Sequence, residues 1–514
     1  FRGQVKCIYI DPPYNTGSDD FLYKDRYQHS SWLAMMEERL RLGREMLAED
    51  GGIFISVDDE EVAPLSQLCE GVFGPTNFVA KVVWQKRTSA DSRLALGAAH
   101  DYLVIFGRQV EGFRSSIANL PLSESRREDY RNPDEDPRGA WASVDLTGQE
   151  GHATPDQFFT VVTPAGTEYQ PPPGRCWALS QSTFEDLVQD NRIWFGVDGS
   201  SRPRLKKFIS ESEGSPAWTW WTNEEVGHNQ EATRELRDIL GPTAFTAPKP
   251  KRLLRRVVRL GADQDGGIVL DFFAGSATTA DAVMGLNNVM GRSNRFLLVE
   301  NGAHFDPVLL KRVARRLYAE ALSPLYKILR LESYEDALHN LASEETLHRE
   351  APRAGALQAA QGEDHYRLHY LASLPLEASD TMLNVGKLEH PFRYAMEVLT
   401  EEGPERRTVD MVETFNLILG LRVRRVERWV NEEDGDGRSY RVVLGEDPEG
   451  QHTLILWRDM EGLDPALERD FLEARIEEAD DAPFDLVLIN GDSTVPGVRS
   501  LDPLFKAGLE AGTT

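Results

Sequence analysis

The chain has 514 residues, 40% of them hydrophobic, and a formal net charge of −27. Such a length allows two to four domains with real cores, and no apolar run approaches the length needed to cross a bilayer, so a water-soluble protein is expected. Cys7, Cys69 and Cys176 are widely separated, which excludes a disulfide framework and leaves no paired spacing for zinc; a reducing, cytoplasmic setting and no metal are expected.

The sequence opens on a strand, with no initiator methionine and no basic-apolar leader, and reads as lacking its N-terminal segment. Residues 7–10 form that strand. It runs into Asp11-Pro12-Pro13-Tyr14, where the chain must leave the ladder at once, because neither proline can donate a hydrogen bond and each fixes its own φ. The turn presents an acid and an aromatic ring on stiff backbone; the plain alternative is a proline-rich exit with a solvated aspartate. Asp19 and Asp20 beyond it read as solvated loop residues. A helix follows, capped by Ser30 or Ser31, with Trp32, Met36, Leu40 and Leu47 at near-helical spacing and Gly51-Gly52 as its end. Residues 53–57 are the next strand, 58–74 a second helix and 101–107 a third strand, with His100 reading as its start. Alternating strand and helix predict an α/β fold with a doubly wound, mostly parallel, Rossmann-like sheet.

From about Glu111 to Gly241 the rhythm breaks. The stretch is rich in Gly, Pro, Arg and aromatics, including Trp177, Trp194, Trp218, Trp220 and Trp221, and reads as an inserted, irregular domain with its tryptophans in the core. It carries a basic knot of Arg202, Arg204, Lys206 and Lys207. A second cluster holds Lys249, Lys251, Arg252, Arg255, Arg256 and Arg259, and its last four share one helical face. Acid gathers late, at 431–437 and 477–485. A basic groove in an acidic body is compatible with nucleic-acid binding, whereas a solvated helix face is the plain reading of the second cluster.

The alternation returns with an apolar strand at 268–272. Phe273-Ala274-Gly275-Ser276-Ala277 is a small-residue turn, and Thr278 opens a helix to about Asn287. Small residues let a ligand approach the backbone, and the helix N-terminus offers N–H groups and a positive dipole end. The next strand, after Asn294, ends in Glu300, an acid placed to accept bonds from two ribose hydroxyls. Gly275 lacks the full G-x-G-x-x-G pattern, so a nicotinamide site fits poorly.

Together, "DPPYNTGSDDF", "VLDFFAGSATTADAV" and "FLLVE" resemble the S-adenosylmethionine-dependent DNA amino-methyltransferases, which carry a D-P-P-Y catalytic motif and an F-x-G-x cofactor motif. The order of motifs is similar to that of the beta class, in which the insert is the target-recognition domain. "FTAPKPKRLL" (245–254) is similar to the segment that packs on the bound cofactor. Residues 329–341 and 409–421 resemble the modification subunits of Type III restriction-modification systems. Such proteins usually carry a strand and a G-D-N segment before the D-P-P-Y strand, and this sequence begins after them.

The resemblance implies Asp11, Pro12, Pro13 and Tyr14 as catalytic residues, and Asp271, Phe273, Gly275, Glu300, Phe245 and Lys249 as the S-adenosylmethionine site. It divides the chain into a catalytic half (1–110), a target-recognition insert (111–244), a cofactor-binding half (245–325), a helical linker (326–370) and a C-terminal domain (371–514). Strands at 453–460 and 484–492 give that last part a small α/β character. Double-stranded DNA is the implied partner, held in part by Arg202, Arg204, Lys206 and Lys207. A restriction (helicase-nuclease) subunit or a second methyltransferase chain is the implied protein partner.

An exocyclic base amine is a poor nucleophile because its lone pair is delocalised into the ring. Asp11 and the Pro12 carbonyl can each accept one of its N–H groups, aiming the lone pair at a methyl donor, while Tyr14 stacks on a base extruded from the duplex. Adenine N6 is the expected target, since relatives that modify cytosine more often carry serine where Asp11 stands. Transfer to cytosine N4, to another planar amine, or a specificity subunit without turnover are the alternatives.

Overall fold

The computed structural model describes residues 1–14, 28–89, 96–122, 124–242, 245–319, 326–331, 333, 336, 388–400, 403–431 and 437–511. The linker expected at 326–370 lies almost wholly outside the described residues, as do Asp19 and Asp20. The chain forms two compact units, Phe1–Leu325 and Tyr326–Thr514.

In the first unit, β1 (Val5–Ile10) is an apolar run buried along almost its whole length, as a strand covered on both faces must be. It is followed by α1 (Gln28–Met46), β2 (Leu47–Val57), α2 (Val62–Phe73), β3 (Phe78–Gln85), β4 (His100–Gly107) and α3 (Val110–Ser116). The chain then leaves this layer for short elements that include β5 (Trp141–Asp145), α4 (Gln181–Gln189), β6 (Ile193–Trp194) and β7 (Arg204–Phe208). These strands form an antiparallel sheet in the order β6-β7-β5. Close by, Leu146, Val161, Trp177, Phe184 and Ile193 make a core of their own. The chain returns through β8 (Trp220–Trp221), α5 (Asn229–Leu240), α6 (Lys251–Gly261), β9 (Ile268–Asp271), α7 (Thr278–Met290), β10 (Arg295–Leu298) and α8 (Lys311–Ala319).

The main sheet has the order β8-β3-β4-β2-β1-β9-β10. β1 runs parallel to β2 and β9, β10 parallel to β9, and β8 parallel to β3. β4 alone is antiparallel to its neighbours. The fold is therefore α/β and mostly parallel. One face packs on α3, α6 and α7 through Phe113, Leu254, Val257 and Val283. The other packs on α1 and α2 through Trp32, Met36, Leu40 and Leu65.

Strand order reverses at β1, with β2, β4 and β3 to one side and β9 and β10 to the other. In open α/β sheets that reversal opens a crevice at the carboxyl ends of the strands. Because β4 runs backwards, the end of β3 and the start of β4 reach the same edge.

The structure corrects the expected end of α1. The helix stops at Met46, and β2 already begins at Leu47. Gly51 and Gly52 lie inside that strand, where β1 shifts register from Val5↔Leu47 to Cys7↔Gly52. A Cβ on Gly51 would stand 2.7 Å from the Val5 carbonyl oxygen, and one on Gly52 would strike the Phe113 ring. These glycines permit close approach rather than end a helix. β3 is not among the expected elements, since Val79 and Val83 blur its alternation.

The second unit holds a five-stranded sheet, β13-β14-β15-β16-β17, once β11 (Ala395–Thr400), β12 (Gly403–Thr408) and α9 (Met411–Leu419) have passed. Its elements are β13 (Arg422–Val430), β14 (Ser439–Glu446), β15 (His452–Trp457), α10 (Pro465–Glu478), β16 (Leu486–Ile489), β17 (Val498–Ser500) and α11 (Asp502–Ala511). Phe415, Trp457, Leu488 and Phe505 fill one face and Tyr440, Leu454 and Leu472 the other. His390, Asp459 and Glu461 converge there, and Arg393 pairs with both acids, which reduces the negative charge a cation would need.

Candidate active site

The turn after β1 is pinned from below. Trp32 of α1, fully buried, donates its indole N–H to the Pro13 carbonyl at 2.7 Å. Sequence pattern marks Trp32 only as an apolar helix position. Lys249, in the loop before α6, donates to both oxygens of Asp11 at 2.6 Å. Its ammonium also stands 4.9 Å from the centroid of the Tyr14 ring, and the residue is 9% exposed. Burial, and then the Asp11 charge, hold the Tyr14 phenol well above its ordinary range. A second pair, Lys86 with Asp101, lies at the same edge of the sheet. Burial pushes the Asp101 carboxyl up, and the charges of Lys249 and Lys86 oppose it. Nothing in the local sequence links these residues to Asp11; the backward run of β4 brings them there.

The second turn follows β9. Asp271 accepts the Phe273 N–H at 3.0 Å and the Thr279 hydroxyl at 2.5 Å. Burial pushes its carboxyl up to about 7, against those two donors. Asp271 therefore shapes the turn from beneath. Gly275 has φ +49, and a Cβ there would sit 3.1 Å from the Phe245 ring. Glu300 accepts the N–H groups of Gly275 and Gly302, each at 2.7 Å. His304 lies 3.3 Å from Glu300 and edge-on to Phe245. Behind the turn, buried Arg312 donates to the Ser276 carbonyl, the Thr278 hydroxyl and Asp281. The result is bare backbone bordered by an aromatic ring and a carboxylate. Such a cradle suits a ligand with an apolar part and a diol. Sequence reasoning missed His304, in the turn before a helical segment, and Arg312, inside α8, neither of which belongs to a motif.

Residues 5–293, more than half of the chain, match the DNA methylase family. The chain belongs to that family. Among curated proteins, the chain is 36% identical over 330 residues to the Type III restriction-modification enzyme StyLTI Mod subunit of Salmonella typhimurium, covering 58% of this chain and 49% of that one. It is 29% identical over 368 residues to the EcoPI Mod subunit of Escherichia phage P1, covering 58% and 54%. It is 28% identical over 327 residues to the Type II methyltransferase M.KpnI of Klebsiella pneumoniae, covering 58% and 75%. The chain thus spans about half the length of the two Mod subunits.

The basic residues of the chain are placed differently from expectation. Lys206 points inward and is 1% exposed. It pairs with Asp134 and, at 3.3 Å, with Asp136. Lys206 is thus a buried ion pair of the insert rather than a DNA contact, since two aspartates absent from the basic knot claim its charge. Arg204 donates to the Ser143 carbonyl at 3.1 Å, Arg202 lies over the Tyr169 ring, and Lys207 is exposed. The arginine face of α6 is engaged within the protein too. Arg252 pairs with Glu231 and Arg256 with Glu225, so this face is neither a free basic groove nor a plain solvated one. Trp177 and Trp221 are buried as expected, whereas Trp218 and Trp220 are 62% and 51% exposed.

Proposed function

We propose that the protein transfers a methyl group from S-adenosylmethionine to the N6 amine of adenine in duplex DNA, as a modification enzyme of a restriction-modification system. The observation that carries this reading is the placement of the Asp11 turn and the Gly275 turn on adjacent parallel strands at one edge of the sheet. S-adenosylmethionine, when bound, supplies a methyl group on a positively charged sulfonium. Gly275 would let it approach the backbone, Phe273 and Phe245 would border its apolar part, and the Glu300 carboxylate would accept from its ribose hydroxyls. Asp11 and the Pro12 carbonyl accept the two N–H groups of the adenine amine. That draws the nitrogen toward tetrahedral geometry and directs its lone pair, while the Asp11 carboxylate balances the positive charge developing on nitrogen and accepts the proton that the methylated amine gives up. Tyr14 stacks on the extruded base and offsets part of the unstacking cost of a few kcal/mol.

The same reading makes the insert (111–244) the element that sets sequence preference. It takes a restriction subunit or a second methyltransferase chain as partner, in the cytoplasm. Digesting DNA from an expressing host to nucleosides tests the activity. N6-methyladenine is the expected product by mass spectrometry, and methylcytosine alone would overturn the base assignment.

Arg202, Arg204 and Lys207 are the remaining candidates for phosphate contact. Neutralising all three is expected to lower the magnitude of the slope of log K against log salt by up to about 2.7, roughly 0.9 for each phosphate no longer neutralised. An unchanged slope would return them to ordinary surface. Lys206→Met is expected instead to destabilise the insert by about 1–3 kcal/mol, because Asp134 loses its cation while Asp136 keeps Arg138.

A further inference from the structure

We infer that Lys249 is a two-position residue: its ammonium competes with the target amine for Asp11, and Asp101 is where it goes when the amine takes Asp11. The inference rests on the proposed function only in naming the competing amine as that of a base. Its first ground is that Lys249 makes the contacts the amine needs. Its N–H groups reach both Asp11 oxygens at 2.6 Å, and its charge faces the Tyr14 ring. A base cannot donate its amine to the same acid and stack on the same ring while the ammonium stays.

The second ground is what lies on the other side of Lys249. Its Nζ is also 6.0 Å from the centroid of the Trp84 ring, and Trp84 faces Asp101 directly across the β3–β4 ladder. Asp101 is buried and paired with Lys86. A buried ammonium without an anion is costly, so leaving Asp11 is acceptable only if another carboxylate is within reach. Two acids and two lysines share this edge. A neutral amine bound at Asp11 leaves that balance unchanged, so Lys249 needs only to change partner. Asp101 is thereby a positioning residue, acting on the acceptor through Lys249. Tyr9 and Tyr14 are the other titratable groups of the cluster, and both sense the Asp11 and Asp101 charges.

The test needs neither cofactor nor DNA. The full chain, Asp11→Asn, Asp101→Asn and the double variant are treated with N-hydroxysuccinimidyl acetate, and acetylation of Lys249 is followed by mass spectrometry. Asp11→Asn is expected to label almost as slowly as the parent, because the ammonium moves to Asp101. The double variant is expected to label severalfold faster, because no carboxylate then holds the ammonium at the buried edge away from the reagent. Asp101→Asn alone leaves Lys249 on Asp11 and labels slowly, while faster labelling of Lys86 there reports its freed amine. If Asp11→Asn labels as fast as the double variant, or the double variant as slowly as the parent, the inference falls. A second comparison serves if the double variant fails to fold. Asp101→Asn should slow DNA methylation in the parent and have no further effect in Lys249→Met. Equal slowing in both backgrounds means that Asp101 acts only through Lys86, which overturns the inference. Should the protein bind no cofactor and methylate no DNA, the proposed function fails, and the labelling still decides this point.

Discussion

Asp11→Ala is expected to reduce methyl transfer by about 10²–10³-fold or more, the usual consequence of deleting one preorganised polar group from a reacting centre, with cofactor affinity nearly unchanged. The split follows from position. Asp11 follows β1 and, in the proposed reaction, meets the acceptor amine, whereas the Gly275 cradle is built by β9, β10 and the loop carrying Phe245. Its carboxylate is a charged acceptor, which makes a hydrogen bond roughly twice as strong as a neutral one. Single-turnover transfer and calorimetry, run on the same preparation, separate the two quantities. Transfer within about tenfold of the parent, which is 1.4 kcal/mol of barrier, would remove Asp11 from the reaction. A parallel loss of cofactor binding would move it to the cofactor site instead.

What sequence made legible was local. The strand, proline turn and tyrosine at 7–14 and the strand, small-residue turn and helix at 268–287 each carry their signal within a few residues. Both fall where β1 and β9 place them. Contacts across long stretches of chain were not legible. Lys249 and Asp11 are 238 positions apart, and Lys249 reads as one charge in a basic run until the fold brings that run over the acid. Lys206 shows the same limit in reverse. It sits beside three other cations in sequence, yet β7 turns it inward, toward acids 72 and 70 positions away. Alternation predicts that a strand exists but not its direction, so β4 could be placed but not oriented. Its antiparallel run is what delivers Asp101 to the active edge.

Gly275→Trp is expected to abolish detectable cofactor binding while the sheet stays folded. Two separate constraints meet at this residue. Its φ of +49 lies in the left-handed region, where any other L residue costs about 1–2 kcal/mol. A Cβ would also stand 3.1 Å from the Phe245 ring, so even alanine requires the ring to shift by a few tenths of an ångström. In Gly275→Ala the free turn shifts to relieve this strain, so restoring it for binding is expected to weaken affinity by about tenfold, or 1.4 kcal/mol, and indole bulk is expected to fill the cradle outright. Because the turn lies outside β9 and α7, its distortion leaves Val269, Leu270 and Val283 packed in their cores. Calorimetry with S-adenosylhomocysteine measures the binding, and circular dichroism with thermal melting reports the fold. Unchanged affinity in Gly275→Trp would place the cofactor elsewhere. Affinity restored by adding Phe245→Ala to Gly275→Ala would show that the ring, rather than backbone strain, sets the size of the ligand this turn accepts.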